Sequence, residues 1–451
     1  MHHSPRGITT GHIPREAFVL AWPTVLTMVL LNTTHLANLF FVGKLGPHAM
    51  SAVGVGTMTI MILFSVAMAI TTGAVALIAR FVGARDPATA AEAAKQAILL
   101  TVLVSIVVAT PLYMFRLPLV QALGVSPGAA RTAAAFLAIA LAATPAHFLL
   151  MTQVHVYRAV GDVITPLKVL AVVNGLNILG DYLLIWGVGP FPQMGVPGAG
   201  VSLAIAWTLG SVLMAFNLRR MPIWPYRRPG WRPSLSWFAR TMRIGWPTAV
   251  QHLIRTLGGM WFIIILARTA DRDAAIAALT AGLRIEGLAV MPGIAFGVAA
   301  SIMVGQNLGA RQPDRAARSG WACAQQGAML MAFVGLMLWV LAEPIAGVFT
   351  QDPRVIGLVV GYLKINALAE PMLGVGLVLS GALQGAGDTV APAVATVVGM
   401  WVLRLPIAWW LCLGLGHDAI AAWWVMAAST VAQAIMLIIW FQIGRWQRKE
   451  V

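Results

Sequence analysis

Twelve apolar runs divide nearly the whole chain, each longer than the ~20 residues that cross the hydrocarbon core of a bilayer. They cover roughly residues 17–42, 49–79, 93–115, 130–155, 163–187, 197–218, 240–267, 275–305, 317–342, 355–384, 389–413 and 417–444. Such a chain lacks the polar surface a soluble fold needs. Of its 451 residues 59% are hydrophobic and only 10% charged, where soluble domains carry about 25%. In hydrocarbon each segment must satisfy its own backbone N–H and C=O groups, so the runs are read as helices. The 44 Gly and 25 Pro fit that reading, since both are more frequent in membrane helices than in soluble ones. The expected fold is an all-α integral membrane protein with twelve transmembrane helices.

The net charge of +15 would suggest nucleic acid in a soluble protein. Here topology explains it. With the N-terminus in the cytoplasm, 20 Lys and Arg fall at cytoplasmic positions, seven of them from Arg219 to Arg243, against six at external positions. That asymmetry places both termini in the cytoplasm of a multi-pass protein of the inner (plasma) membrane, with the lipid bilayer and not nucleic acid as its partner. Cys323 and Cys412 lie in apolar runs and suggest no disulfide framework. The nine histidines form no metal-ligand spacing, and His147 and His155, eight apart on one helix, read as bundle packing. No ATP-binding loop and no cofactor motif occurs, so any work must draw on an ion gradient or a partner.

The chain is duplicated. Trp22-Pro23-Thr24 recurs as Trp246-Pro247-Thr248, Gly83-Ala84-Arg85 as Gly309-Ala310-Arg311, and Gly161-Asp162 with Pro166 as Gly387-Asp388 with Pro392. The offsets are 224, 226 and 226. Six spans per half is an even number, so both halves insert in the same orientation. Two six-helix bundles related by pseudo-two-fold symmetry about the membrane normal are expected, with alternating access between them. The bundles are drawn at 1–218 and 240–451, joined by a basic, Pro- and Trp-rich cytoplasmic linker at 219–239.

Polar groups inside the spans mark candidate sites. Asn174, Asn177 and Asp181 sit three and four residues apart, on one helix face. An Asp at the centre of a membrane helix costs roughly 2.5–3.5 kcal/mol on insertion scales, so it should face water or protein. An ion- or proton-coupled site is one reading; a strip of Asn cementing two helices is the other. Asn38 and His35 add polar atoms to the first helix, which Pro23 should kink. In the second half Arg255, Arg284, Glu286, Glu370 and Arg404 fall inside spans. Arg255 and Glu286, on consecutive helices, are expected to pair, either as a fixed ion pair or as one broken when Glu286 is protonated. Asp162 and Asp388 are expected to cap helix starts.

The stretches FVGKLG, VGARDP, RAVGDVITP and NILGDYLLIWG, with MVGQNLGARQP and LQGAGDTVAP in the second half, resemble the multidrug and toxin extrusion (MATE) transporters, and more closely their bacterial DinF-like branch. The resemblance runs from about residue 15 to 445. It implies export of organic, often cationic, drug-like compounds coupled to inward H⁺ or Na⁺. It also implies coupling residues at Asn177 and Asp181, and a kink at Pro23. Three positions depart from the family pattern. Asn38 stands where a first-helix Asp is usual, Arg255 where one branch has a Glu eight residues after the seventh-helix Pro, and Leu373 near a usual tenth-helix Asp, with Glu370 one turn earlier. Asn does not titrate, so proton coupling in the first half rests on Asp181, alone or with His35. Na⁺ prefers several charged oxygens, so H⁺ is favoured over Na⁺. The chain is read as a monomer and not an enzyme, because no His, Asp or Ser cluster gathers near a membrane face. The alternative transport reading is a lipid-linked saccharide flippase of the same superfamily.

Overall fold

The computed structural model describes residues 5–449 apart from 123, 125, 220, 222, 224–229 and 270. Residues 220, 222 and 224–229 of the expected linker therefore lie outside the described residues. Among the described residues every regular element is helical. After a short helix at Pro5–Thr10 come α1 (Ile13–Gly43), α2 (Pro47–Gly83), α3 (Pro87–Met114), α4 (Pro127–Ala142), α5 (Thr144–Val160), α6 (Ile164–Trp186) and α7 (Val196–Leu218). The second half holds α8 (Leu235–Leu266), α9 (Arg272–Ala289), α10 (Met291–Gly309), α11 (Pro313–Val340), α12 (Pro353–Gly385), α13 (Val390–Gly414) and α14 (Ala419–Ile443). Proline recurs at the first or second position of these helices, as in α2, α3, α4 and α12, where its missing N–H costs nothing. Asp86 accepts the Thr89 N–H at 3.0 Å and Asp418 the Ile420 N–H at 3.1 Å, capping α3 and α14.

Eleven of these helices are long and apolar enough to cross a membrane. A twelfth is reached when α4 and α5, bent by 50° at a break beside Pro145, are counted as one span. The run expected as one segment at 275–305 is likewise two helices, α9 and α10, meeting at Val290 before Pro292. In both places the proline ring and its missing donor end the preceding ladder. Helix α13 is partly π-helical, over Val398–Arg404 and again over Trp410–Gly414.

The duplication is visible in backbone geometry. Arg85 and Arg311, at the same place in the repeated Gly-Ala-Arg, are the two described non-glycine residues with positive φ, both at 58°. Gly161 and Gly387 open the two Gly-Asp turns at φ 98° and 83°, a conformation that glycine adopts without penalty. Asp162 N–H then returns to the Tyr157 carbonyl at 3.0 Å and Asp388 N–H to Leu383 at 2.8 Å.

The chain folds into two compact units. The first spans 26–245, and the second joins 4–25 to 246–451. These differ from the expected 1–218 and 240–451, because the chain changes unit inside α1 and inside α8, next to Pro23 and Pro247. The start of α8 packs in the first unit. Its Trp237 meets Phe81 edge-on at 6.0 Å, and the Ser234 N–H donates to Gln96 Oε1 at 3.0 Å. The start of α1 is held in the second unit, where Gln326 Nε2 donates to the Pro14 carbonyl at 2.8 Å. The first unit has a core around Phe136, Leu137, Phe148 and Ile185; that of the second surrounds Tyr362, Leu363 and Trp423.

Candidate ion-coupling site

In the first unit, α6 turns Val169, Val173, Asn174, Asn177, Asp181 and Ile185 inward on one buried face. Asp181 is 0% exposed and Asn177 2%. Helix α7 approaches this face closely at Gly180, where any Cβ would stand 2.6 Å from Ser202 Oγ. That approach lets Ser202 clasp Asn177. Asn177 Nδ2 donates to Ser202 Oγ at 2.9 Å, and Ser202 Oγ donates to the Asn177 carbonyl at 2.8 Å. The Ser202 side chain is also a hydrogen-bonding neighbour of the Asp181 carboxylate. Beyond Ser202 the Asp181 carboxylate has no partner among the described residues, and Asn177 Oδ1 and Asn174 Nδ2 are unpartnered. Buried polar groups are normally satisfied. Under-satisfied polar atoms on two turns of one helix therefore mark a place built for something other than packing.

The other first-half candidates lie apart from this cluster. Asn38 is half-buried and His35 exposed on α1, and among the described residues neither makes a hydrogen bond to Asp181. The end of α1 does come near α6, with Phe41 and Tyr182 rings 6.2 Å apart. Pro23 lies inside α1. His147 stacks on Trp207 at 4.0 Å, and His155 Nδ1 donates to the Met151 carbonyl at 2.8 Å, both packing roles.

The second unit corrects the expected pair. No ion pair forms between Arg255 and Glu286; instead Glu286 accepts a hydrogen bond from the hydroxyl of Tyr362, buried on α12. Arg255 is exposed and so is Arg284. Glu370 is 1% exposed, with Oε2 unpartnered, and packs against Gly335 of α11. Lys364 pairs with Glu343 at 3.1 Å. Asp162 caps α6 as expected, accepting Ile164 and Thr165 N–H at 3.1 and 2.9 Å. Asp388 does not cap α13. It binds Trp440 Nε1 at 3.0 Å and Lys449 Nζ at 2.8 Å instead.

Sequence reasoning missed Ser202 and Tyr362. Tyr362, Asn366 and Glu370 recur every four residues, the spacing of one helix face, and that was the available signal for Tyr362. Ser202 sits in a stripe of small residues, Gly198, Ser202, Ala206 and Gly210, the kind that admits a neighbouring helix.

The MatE family profile matches residues 23–183 and 247–410, one stretch in each half. The chain belongs to the MATE family. It is a multi-pass MATE efflux transporter and not an enzyme. The chain is 26% identical over 445 residues to the "Probable multidrug resistance protein NorM" of Thermotoga maritima, covering 97% of this chain and 94% of the relative. It is 25% identical over 407 residues to a FAD transporter of Shewanella oneidensis, covering 89% of each. A structure of the outward-facing conformation of a multidrug resistance MATE family transporter matches 100% of both chains with a TM-score of 0.91 at 20% identity. That solved structure shares the fold of this MATE transporter across its whole length.

Proposed function

We propose that this transporter exports organic, drug-like and often cationic compounds in exchange for protons, with Asp181 as the proton carrier. The observation behind this reading is the Asp181 carboxylate, fully buried on the inner face of α6 with no charged partner among the described residues and Ser202 beside it. A carboxylate gains and loses a proton where Asn38, in the first helix, does not. One carboxylate with one open amide oxygen, Asn177 Oδ1, is a thin oxygen set for a metal cation, and this favours H⁺ over Na⁺. The names of relatives such as NorM of Thermotoga maritima support a drug-like cargo. The cargo site opens alternately to the two sides of the membrane. The chain acts as a monomer in the inner membrane, with both termini cytoplasmic.

The test is export of ethidium, a fluorescent organic cation, from proteoliposomes under separately imposed pH and Na⁺ gradients. A pH gradient alone should drive export. Export driven by Na⁺ alone, or by neither gradient, would overturn the reading.

A further inference from the structure

The second unit holds a partly open cavity of about 240 Å³ whose polar lining includes Arg255, Glu286, Arg404, Thr430 and Gln433. Helix α13 brings Arg404 to this wall at the end of its first π-helical stretch, a local widening of the ladder that recurs at functional sites. The guanidinium is anchored by three acceptors, and all are neutral. Nε donates to Ser429 Oγ at 2.8 Å, and one terminal nitrogen donates to the Met426 carbonyl at 3.2 Å and to Thr430 Oγ1 at 2.9 Å. These fix its direction without neutralising its charge.

Arg255, from α8, lies within electrostatic reach of Arg404. Among the described residues no carboxylate stands within 4.0 Å of either arginine. Glu286 is in electrostatic reach of Arg404, but its hydrogen bond is with Tyr362. Glu370 lies outside the lining and in reach of Glu286. The cavity wall therefore carries two cations against one acid. Converging positive charges inside a membrane protein need a counter-charge, and guanidinium groups match carboxylate and phosphate oxygens in a two-point fork.

We propose that this cavity binds the anionic group of a small organic carboxylate or phosphate, gripped between Arg255 and Arg404. Phe262 and Met400 supply apolar wall for the rest of the molecule. The volume is below the ~300–1,000 Å³ usual for drug-sized ligands, which points to a small anion or the charged end of a larger one. This goes beyond the export of cations, and equilibrium binding needs no gradient. Its failure would leave proton-coupled export standing, and the reverse also holds.

The test is equilibrium binding of radiolabelled benzoate to the purified full-length protein in detergent. Phenyl phosphate and the neutral benzamide serve as competitors. One saturable site per chain is expected, displaced by phenyl phosphate and not by benzamide. Arg404→Gln and Arg255→Gln should each weaken binding about tenfold or more, the scale of a lost charged hydrogen bond, with Arg404→Lys intermediate. Arg255 is exposed, so its variant keeps the test alive should Arg404→Gln fail to fold. Displacement by benzamide as well as by the anion would overturn the proposal. So would wild-type binding in Arg255→Gln, or the absence of saturable binding of either anion.

Discussion

The Tyr362 hydroxyl donates to the Glu286 carboxylate, so the acid that faces Arg255 along the sequence is held by a neutral group from another helix. This relationship separates two ways of stabilising a charge inside the second unit. A fixed ion pair would make Arg255 a structural residue. A Tyr-held acid leaves Arg255 dispensable for folding and makes Tyr362 the residue that the core depends on.

Tyr362→Phe is therefore expected to destabilise the protein by about 1–3 kcal/mol, the worth of a hydrogen bond to a carboxylate. Arg255→Ala should stay within about 0.5 kcal/mol of the parent, as exposed substitutions do. Unfolding midpoints in detergent, followed by tryptophan fluorescence, check both. A larger loss in Arg255→Ala than in Tyr362→Phe would restore the ion pair.

A second prediction concerns the close approach of α12 to α10. A Cβ on Gly381 would lie 2.2 Å from the Gly297 carbonyl oxygen, whereas one on Gly357, in the same helix, meets nothing within 4 Å. Gly381→Ala should cost about 1–3 kcal/mol through backbone displacement. Gly357→Ala should be neutral or stabilising by up to about 1 kcal/mol. The same unfolding midpoints separate the two.

The contact of Gly180 with Ser202 predicts non-additivity. Gly180→Ala alone should lower the midpoint, and adding Ser202→Gly should recover part of that loss by removing the side chain in the way. If the two losses simply add, the helices are not set by this contact.

Much of this architecture was legible in the sequence because it is written in local chemistry. Apolar length gave the spans, and the repeated turns carry their geometry with them, as Arg85 and Arg311 at one φ illustrate. The breaks beside Pro145 and Pro292 were hidden because proline leaves the hydropathy of a run almost unchanged. The buried face of α6 followed from the spacing of Asn174, Asn177 and Asp181. The partner of Glu286 did not, since Tyr362 lies 76 residues away, and spacing informs only within one helix. The unit boundary at Pro23 and Pro247 was missed for a related reason: an uninterrupted apolar helix gives no sign that its two ends pack in different units.

The most direct measurement is proton-driven export by Asp181→Asn in proteoliposomes, compared with the parent under the same imposed pH gradient. Asn keeps the shape and removes the proton site, so export under the gradient should be abolished while the folded protein still purifies as the parent does. Undiminished export in Asp181→Asn would contradict the role given to Asp181 and move coupling to Glu286 or Glu370.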